Sequence, residues 1–181
     1  MLLTSELAKS KLGLEAPEHD TDDPSEAIMT ATSIFVNLPT NDLDRSKAFY
    51  EALGFTINPL FTDENAACVV FSDNIYFMVL TREYLGTFTE KQIIDTKTHA
   101  QALIALSRES RDEVDAVLAK GLAAGGTEPR DAQDYGFMYS RDLEDPDGNV
   151  LEFLFMEQAA AEQGPEAYLA DQAQAAQSAT A

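Results

Sequence analysis

One strand and one helix follow each other within SIFVNLPTNDLDRSKAFYEALGF, which spans residues 33–55. Apolar residues alternate with others from Ile34 to Leu38, and this period of two predicts a strand with one apolar face. Asp42 stands at the N-cap position of a helix with apolar residues at helical spacing, and Gly54 ends that helix. This strand and this helix are the first two elements of a pattern that continues along the rest of the chain.

The strand and the helix belong to a longer series of predicted elements that occurs twice in the chain. Three more strands are predicted after the helix, at Phe55–Leu60, Ala66–Phe71 and Ile75–Thr81. The same order then returns, with a strand at Leu103–Ser107, a helix at Asp112–Ala124 and strands near Thr127–Pro129, Gly136–Asp142 and Val150–Met156. An order of β-α-β-β-β that occurs twice is an internal repeat, and it predicts an α+β domain built from two similar modules.

Three segments carry a resemblance to a known superfamily. They are Leu38–Tyr50 with the following Leu53-Gly54-Phe55, then Ile104–Ser107, then Asp145–Glu152, which begins with the type I turn Asp145-Pro146-Asp147-Gly148. In this order the segments resemble the vicinal-oxygen-chelate superfamily, which includes glyoxalases, bleomycin-resistance proteins and extradiol dioxygenases. The resemblance covers residues 32–157 and implies two βαβββ modules that form a curved mixed sheet around one cavity.

The resemblance also divides the chain. It implies one domain at residues 30–157, with modules at 32–82 and 101–157. The acidic segment 1–29 is too polar to fold alone, and we expect it to be a disordered extension. Residues 158–181 are rich in Ala and Gln, and we expect a flexible or loosely helical tail.

The connector between the modules, from Arg82 to His99, is long for this fold. It either covers the cavity as a lid or simply joins the modules, and Thr89–Gln92 predict a short helix within it.

Composition excludes several classes of partner. The net charge of −20 argues against nucleic acid, since phosphate binding needs clustered Lys and Arg. No apolar stretch approaches the roughly 18 residues of a membrane helix, and Met1-Leu2-Leu3 is too short for a signal-peptide core. Cys68 is the single cysteine, so no intrachain disulfide can form. We therefore expect a soluble, cytoplasmic protein.

In metal-using members of the superfamily, each of four strands supplies one ligand to a divalent ion, which takes His and carboxylate groups. Transferred one at a time, these positions fall on Phe35, Val79, Leu103 and Glu152. Because three of these four side chains are apolar, we expect no bound metal and no cofactor. Neither histidine restores the site, since His19 lies in the acidic extension and His99 in the connector; a rearranged site of His99 and Glu152 is the alternative.

The predicted cavity is mainly apolar. By strand parity and the resemblance, it is lined by Phe35, Asn37, Phe77, Val79, Leu103, Ser107 and Glu152. Burial among apolar neighbours would disfavour the charged form of Glu152. Glu152 would then act as a general acid or base, or bind a cationic group of a ligand. The structural alternative is a salt bridge to Arg141 or a hydrogen bond to Tyr139.

Two functions from different classes follow from the resemblance. The first is a protein similar to the bleomycin-resistance branch, which binds a small molecule without metal chemistry, and in which dimerisation is expected from the family. The alternative is a metal-dependent lyase or isomerase that resembles lactoylglutathione lyase and works through Glu152. The apolar replacements favour the first function, and whether the chain is an enzyme stays open.

Overall fold

The first module is a four-stranded sheet crossed by one helix. The computed structural model describes residues 32–178, so the predicted extension at residues 1–29 lies outside the described part. The module consists of β1 (Ile34–Thr40), α1 (Leu43–Leu53), β2 (Thr56–Asn58), β3 (Ala66–Val70) and β4 (Ile75–Thr81), and α2 (Arg82–Gly86) follows it. The strand order is β1-β4-β3-β2, with β1 parallel to β4 and the other pairs antiparallel.

The second module repeats this plan. It consists of β5 (Leu103–Ser107), α3 (Arg111–Ala123), β6 (Gln133–Asp134), β7 (Met138–Glu144) and β8 (Val150–Met156). The strand order β5-β8-β7-β6 and the parallel pair β5–β8 match the first module. The βαβββ repeat predicted from the sequence is thus confirmed. The predicted single curved sheet is in fact two four-stranded sheets, each hydrogen-bonded within its own module.

Helix ends follow the predicted local chemistry. The side chain of Asp42 accepts a hydrogen bond from the backbone N–H of Arg45, and Gly54 ends α1 with a left-handed φ of 101°. In the second module Ser110 is the N-cap of α3 and accepts from the N–H of Glu113. The helix that crosses each sheet is therefore capped shortly after the preceding strand ends.

Two local predictions are wrong. The second strand of the second module lies at β6 rather than at Thr127–Pro129, where only Thr127 forms an isolated bridge, with Glu144. Pro129 has no N–H to donate to a ladder, which limits strand formation there. The predicted helix at Thr89–Gln92 is absent, since this segment contains only a bend, and the helix of the connector is α2.

One hydrophobic core serves both modules. It contains residues from β1, α1, β3 and β4 of the first module and from β5, α3, β7 and β8 of the second. Its fully buried side chains include Phe49, Phe77, Leu118, Leu143 and Phe153. Because the helix-side faces of both sheets contribute to this core, the opposite face of each sheet points away from it. We call these two opposite faces the open faces.

A polar network joins the two modules at the β7–β8 hairpin. The carboxylate of Asp147 is buried and accepts hydrogen bonds from Thr40 Oγ1 at 2.7 Å and from the backbone N–H of Asn41 at 3.0 Å. Arg45 Nη2 lies 2.9 Å from Asp147 Oδ1. Burial would raise the pKa of Asp147, but these hydrogen bonds and the charge of Arg45 together hold it below its ordinary value. The hairpin that precedes β8 is thereby fixed against the first module.

A second buried pair lies beside this network. The hydroxyl of Tyr50 donates to Asp145 Oδ2 at 3.0 Å, and Asn149 Nδ2 donates to the same oxygen at 2.8 Å. Burial, followed by the negative charge of Asp145, raises the pKa of Tyr50 well above its ordinary value. Tyr50 therefore stays a hydrogen-bond donor.

The connector is held by contacts within itself and with the β7–β8 hairpin. Arg82 Nη2 donates to the backbone carbonyls of Ile93 and Ile94, each at 2.8 Å, within the connector. Thr96 is buried and donates through Oγ1 to the carbonyl of Asp147 at 2.6 Å. The Thr96 contact attaches the connector to the hairpin at the module junction.

Two helices follow the second module, α4 (Gln158–Gln163) and α5 (Pro165–Ser178). Ala160 of α4 is buried, whereas no residue of α5 is. Within residues 32–178, no helix is long and apolar enough to cross a membrane.

Candidate functional site

The first strand carries two of the predicted site residues. Phe35 is 47% exposed and Asn37 is exposed, whereas Val36 packs against the core and Leu38 is buried in it. Phe35 and Asn37 therefore lie on the open face of the first sheet. The ring of Phe35 stacks on Tyr76, with centroids 4.7 Å apart.

The prediction that Phe77 and Val79 line a cavity is wrong. Their side chains are 0% and 1% exposed and belong to the shared core. The parallel register places Phe77 beside Val36 and Val79 beside Leu38, and paired residues point to the same side of a sheet. Residues 75–80 are all apolar, so no alternation in the sequence distinguishes one face from the other.

The repeat identifies the correct fourth-strand position. Asn37 pairs with Met78 in the first module, and Ala105 pairs with Glu152 in the second. Since the two modules share one topology, Met78 is the counterpart of Glu152. If the registers of both modules are matched, the positions that the resemblance implies for a metal are Phe35, Met78, Leu103 and Glu152, with Met78 in place of Val79.

The open face of the second sheet contains the other predicted residues. Leu103 is 57% exposed, Ser107 is exposed, and Ala105 lies between them on β5. Glu152 is next to Ala105 on β8 and is mostly buried. The structure thus brings Leu103, Ser107 and Glu152 onto one sheet and Phe35 and Asn37 onto the other.

Glu152 lies beside a guanidinium group. Arg130 Nη2 is 3.5 Å from Glu152 Oε1 and 3.1 Å from Asp142 Oδ1, while Arg130 Nε donates to Asp142 Oδ2. Asp142 is 3% exposed and pairs directly with Glu152 across β7 and β8. Glu152 therefore lies in a charged cluster, whereas the sequence predicts apolar neighbours alone.

The predicted structural partners of Glu152 are also wrong. Arg141 and Tyr139 alternate with Asp142 along β7, so they point to the helix side of the sheet. There Arg141 Nη1 and the Tyr139 hydroxyl both donate to Asp115 of α3, each at 2.8 Å. Arg141 also pairs with Glu128 at 2.9 Å, and the hydrogen bond with Glu128 raises the pKa of Arg141.

Three residues of this site are missing from the sequence prediction. Besides Arg130 and Asp142, Ser140 lies on the same open face and its buried Oγ has no hydrogen-bond partner among residues 32–178. The alternation of Ser140, Asp142 and Glu144 on β7 is a signal that reveals two of them. Arg130 precedes β6 in a loop, where no periodicity indicates its direction.

Neither histidine nor cysteine chemistry adds a metal centre in the described part. Residues 32–178 hold no group of three or more His, Cys, Asp or Glu side chains that is arranged to bind an ion. His99 Nδ1 is 2.8 Å from Thr98 Oγ1 on the exposed connector. Cys68 is buried, and burial raises the pKa of its thiol, which disfavours the reactive thiolate.

Comparisons with known proteins agree with this architecture. The sequence matches the model of the bleomycin resistance protein-like N-terminal family over residues 32–72. The sequence matches no curated protein.

Solved structures extend the likeness to most of the chain. A hypothetical protein from S. aureus has 23% sequence identity and a TM-score of 0.60, and the match covers 70% of this chain and 94% of that one. A glyoxalase/bleomycin resistance protein from Albidiferax ferrireducens T118 has 27% identity and a TM-score of 0.52, over 67% and 95% of the two chains. A bleomycin resistance determinant encoded on the transposon Tn5 has 21% identity and a TM-score of 0.50, over 69% and 98%.

The match to the N-terminal family model and the fold shared with these structures agree with the repeat and the motifs of this sequence. The chain therefore has the fold of the glyoxalase and bleomycin-resistance proteins, and its residues 32–72 match the bleomycin resistance protein-like N-terminal family.

Proposed function

We propose that this protein binds a small organic molecule on its open faces and does so without a divalent ion. The observation that carries the proposal is the set of side chains at the four metal-binding positions, which are Phe35, Met78, Leu103 and Glu152. Divalent ions of this superfamily need nitrogen and oxygen donors, and only Glu152 offers one. This donor set does not fit the ion.

The remaining carboxylate already has a cationic neighbour. Arg130 is held by Asp142 through two nitrogen atoms and lies 3.5 Å from Glu152. A metal ion at Glu152 would be repelled by the guanidinium at short range. The resident cation therefore supports a site that binds without metal.

The open face of the second sheet has the composition of a small-molecule site. Leu103 supplies exposed apolar area, and Ala105 leaves space beside Glu152. Arg130 offers hydrogen-bond donors, Glu152 an acceptor, and Ser140 a hydroxyl without a partner in the described chain. A mainly apolar surface with a few polar groups orients and selects a small ligand.

A second copy of the chain is the partner that we propose for these faces. Phe35 and Leu103 are large apolar side chains that are 47% and 57% exposed on the two open faces. Dimerisation, which the resemblance implies, would cover them and complete an enclosed site. A cytoplasmic location stays a prediction from the sequence.

Elemental analysis tests the metal-free part of the proposal. The untagged protein is incubated with Ni²⁺, Zn²⁺, Fe²⁺ or Mn²⁺, desalted and measured by mass spectrometry. We expect less than about a tenth of an equivalent of any metal, because one carboxylate does not hold an ion. Near one equivalent, removed by Glu152→Ala, contradicts the proposal and favours the lyase or isomerase, with hemithioacetal isomerisation as the first assay.

Dye binding tests the ligand face. We expect the folded protein to bind an apolar fluorescent dye such as 8-anilinonaphthalene-1-sulfonate, and Leu103→Glu to reduce its affinity about tenfold by placing a charge on the open face. Leu122→Glu is the matched control, because Leu122 is an exposed leucine on α3. Equal losses from both substitutions would show that the dye does not report on this face.

A further inference from the structure

A cleft lies at the junction of the modules, between the turn after β3 and the start of α3. Its volume is about 760 Å³, and its lining includes Phe55, Phe71, Asp73, Arg108, Glu109 and Glu113. Of the residues that the sequence predicts for the ligand cavity, the cleft contains only Ser107. It is therefore separate from the cluster around Glu152.

The repeat explains why this junction is open. The strand registers make Asp73 the counterpart of Asp147, which fills the equivalent junction at the other end of the molecule. Asp147 accepts hydrogen bonds from Asn41 and Arg45. The corresponding residues of the second module are Glu109 and Glu113, which line the same cleft as Asp73. Carboxylates at these places repel Asp73 instead of binding it. Asp73 is exposed, and the cleft occupies the place of the missing network.

Arg108 gives the cleft its one positive charge. Its guanidinium lies 4.8 Å from the ring centroid of Phe153 and 5.6 Å from that of Phe55. Nη1 donates to the carbonyl of Ser107 at 2.8 Å, and no carboxylate of residues 32–178 forms an ion pair with Arg108. Burial lowers the pKa of Arg108, although the charge of Glu113 opposes this effect. The guanidinium remains charged, because arginine keeps its proton in proteins.

Most arginines of this chain pair with a carboxylate. Arg45, Arg111, Arg130 and Arg141 do so, whereas Arg82 donates to two backbone carbonyls and Arg108 to one. The guanidinium of Arg108 instead lies against the rings of Phe55 and Phe153, and Arg108 lines the cleft. Stacking of this kind fixes the plane of a guanidinium so that its edge can bind a carboxylate in a bidentate way.

We propose that this cleft binds a small zwitterion, such as an α-amino acid. Arg108 binds its carboxylate, the carboxylates of Asp73, Glu109 and Glu113 bind its ammonium group, and Phe55 and Phe71 contact its apolar side chain. A simple anion would be repelled by three acidic residues, and a simple cation would leave Arg108 without an anionic partner. A ligand with both charges matches both halves of the lining.

Calorimetric titration of the full chain with three related probes tests this proposal. Phenylalanine carries both charges, 3-phenylpropanoate lacks the ammonium group, and phenethylamine lacks the carboxylate. We expect phenylalanine to bind about tenfold more tightly than either single-charge probe, because each of those loses one set of charge-assisted hydrogen bonds. Equal affinity for all three probes, or no binding of phenylalanine and leucine at millimolar concentration, overturns the proposal.

Substitutions test which side chains of the cleft bind the carboxylate and which bind the ammonium group of the ligand. We expect Arg108→Gln to weaken phenylalanine binding about tenfold and to leave phenethylamine binding unchanged, since the latter has no carboxylate. Asp73→Asn, in an exposed turn where folding is not at risk, should weaken phenylalanine and phenethylamine but not 3-phenylpropanoate. Arg111→Gln is the control, because Arg111 pairs with Asp134 outside the cleft. Unchanged phenylalanine affinity in both Arg108→Gln and Asp73→Asn overturns the proposal.

Discussion

Arg45 Nη2 lies 2.9 Å from Asp147 Oδ1, and this ion pair links the helix of the first module to the hairpin of the second. Asp147 is nearly inaccessible to solvent and also accepts hydrogen bonds from Thr40 and Asn41. The hairpin precedes β8, which carries Glu152. The position of the candidate site therefore depends on a buried carboxylate at the module junction.

Asp147→Ala should destabilise the protein by about 3 kcal/mol near neutral pH, because it leaves several buried donors and one cation without their acceptor. The folded-state pKa of Asp147 is lowered, so its contribution is complete above the ordinary carboxyl pKa of about 4. That contribution is lost as pH falls through the lower folded-state pKa. Urea unfolding of the wild type and the variant should thus show a difference that shrinks in acid.

Asp73→Ala is the matched control for this substitution, because Asp73 is the exposed counterpart of Asp147 in the first module. Its effect should stay within about 0.5 kcal/mol. Equal effects of the two substitutions, or a difference for Asp147→Ala that is independent of pH, would refute a role for the buried charge.

Gly148→Ala should lower the melting temperature more than Gly125→Ala does. Both glycines have left-handed backbone, with φ of 88° and 95°, so both variants share the cost of about 1–2 kcal/mol for a side chain there. A Cβ at Gly148 would meet the backbone oxygen of Thr96 at 2.8 Å, whereas nothing lies within 4 Å of one at Gly125. Calorimetry of both variants measures the added clash, and equal melting temperatures would argue against the close approach of the connector.

Phe77→Ala and Phe35→Ala test the assignment of sheet faces. Phe77 is fully buried, and its truncation should cost about 3–5 kcal/mol through lost burial and a residual cavity. Phe35 is half exposed, so its truncation should cost less than about 1 kcal/mol and act instead on dye binding or dimerisation. Denaturant unfolding gives both values, and a reversed order would restore Phe77 to the open face.

The sequence predicts those parts of the site where polarity alternates. On β1 the polar Asn37 lies between Val36 and Leu38, and parity correctly places Asn37 and Phe35 away from the core. On β4 every residue from Ile75 to Leu80 is apolar, because both faces are covered or partly covered, and parity has nothing to distinguish.

The charged cluster around Glu152 depends on contacts that are distant in the chain. Arg130 reaches Asp142 and Glu152 from 12 and 22 residues away, and only the folded loop before β6 determines that approach. Local sequence favours Arg141 as a partner because it is next to Asp142, but the pleat turns Arg141 to the other side. Composition and motifs therefore predict the fold and the apolar positions. The charges next to Glu152 depend instead on how the loop that carries Arg130 folds against the second sheet.

Arg130→Gln should destabilise the protein by about 2 kcal/mol, because it leaves the buried carboxylate of Asp142 without its cation. In an Asp142→Asn background the same substitution should cost less than about 1 kcal/mol, since only the longer pair with Glu152 then remains to be broken. Arg111→Gln serves as the control, because its pair with Asp134 is exposed and should contribute within about 0.5 kcal/mol. Urea unfolding of the four proteins of the cycle gives the coupling energy between Arg130 and Asp142. If Arg130→Gln costs the same in both backgrounds, Arg130 is not anchored by Asp142, and its placement beside Glu152 loses its physical basis.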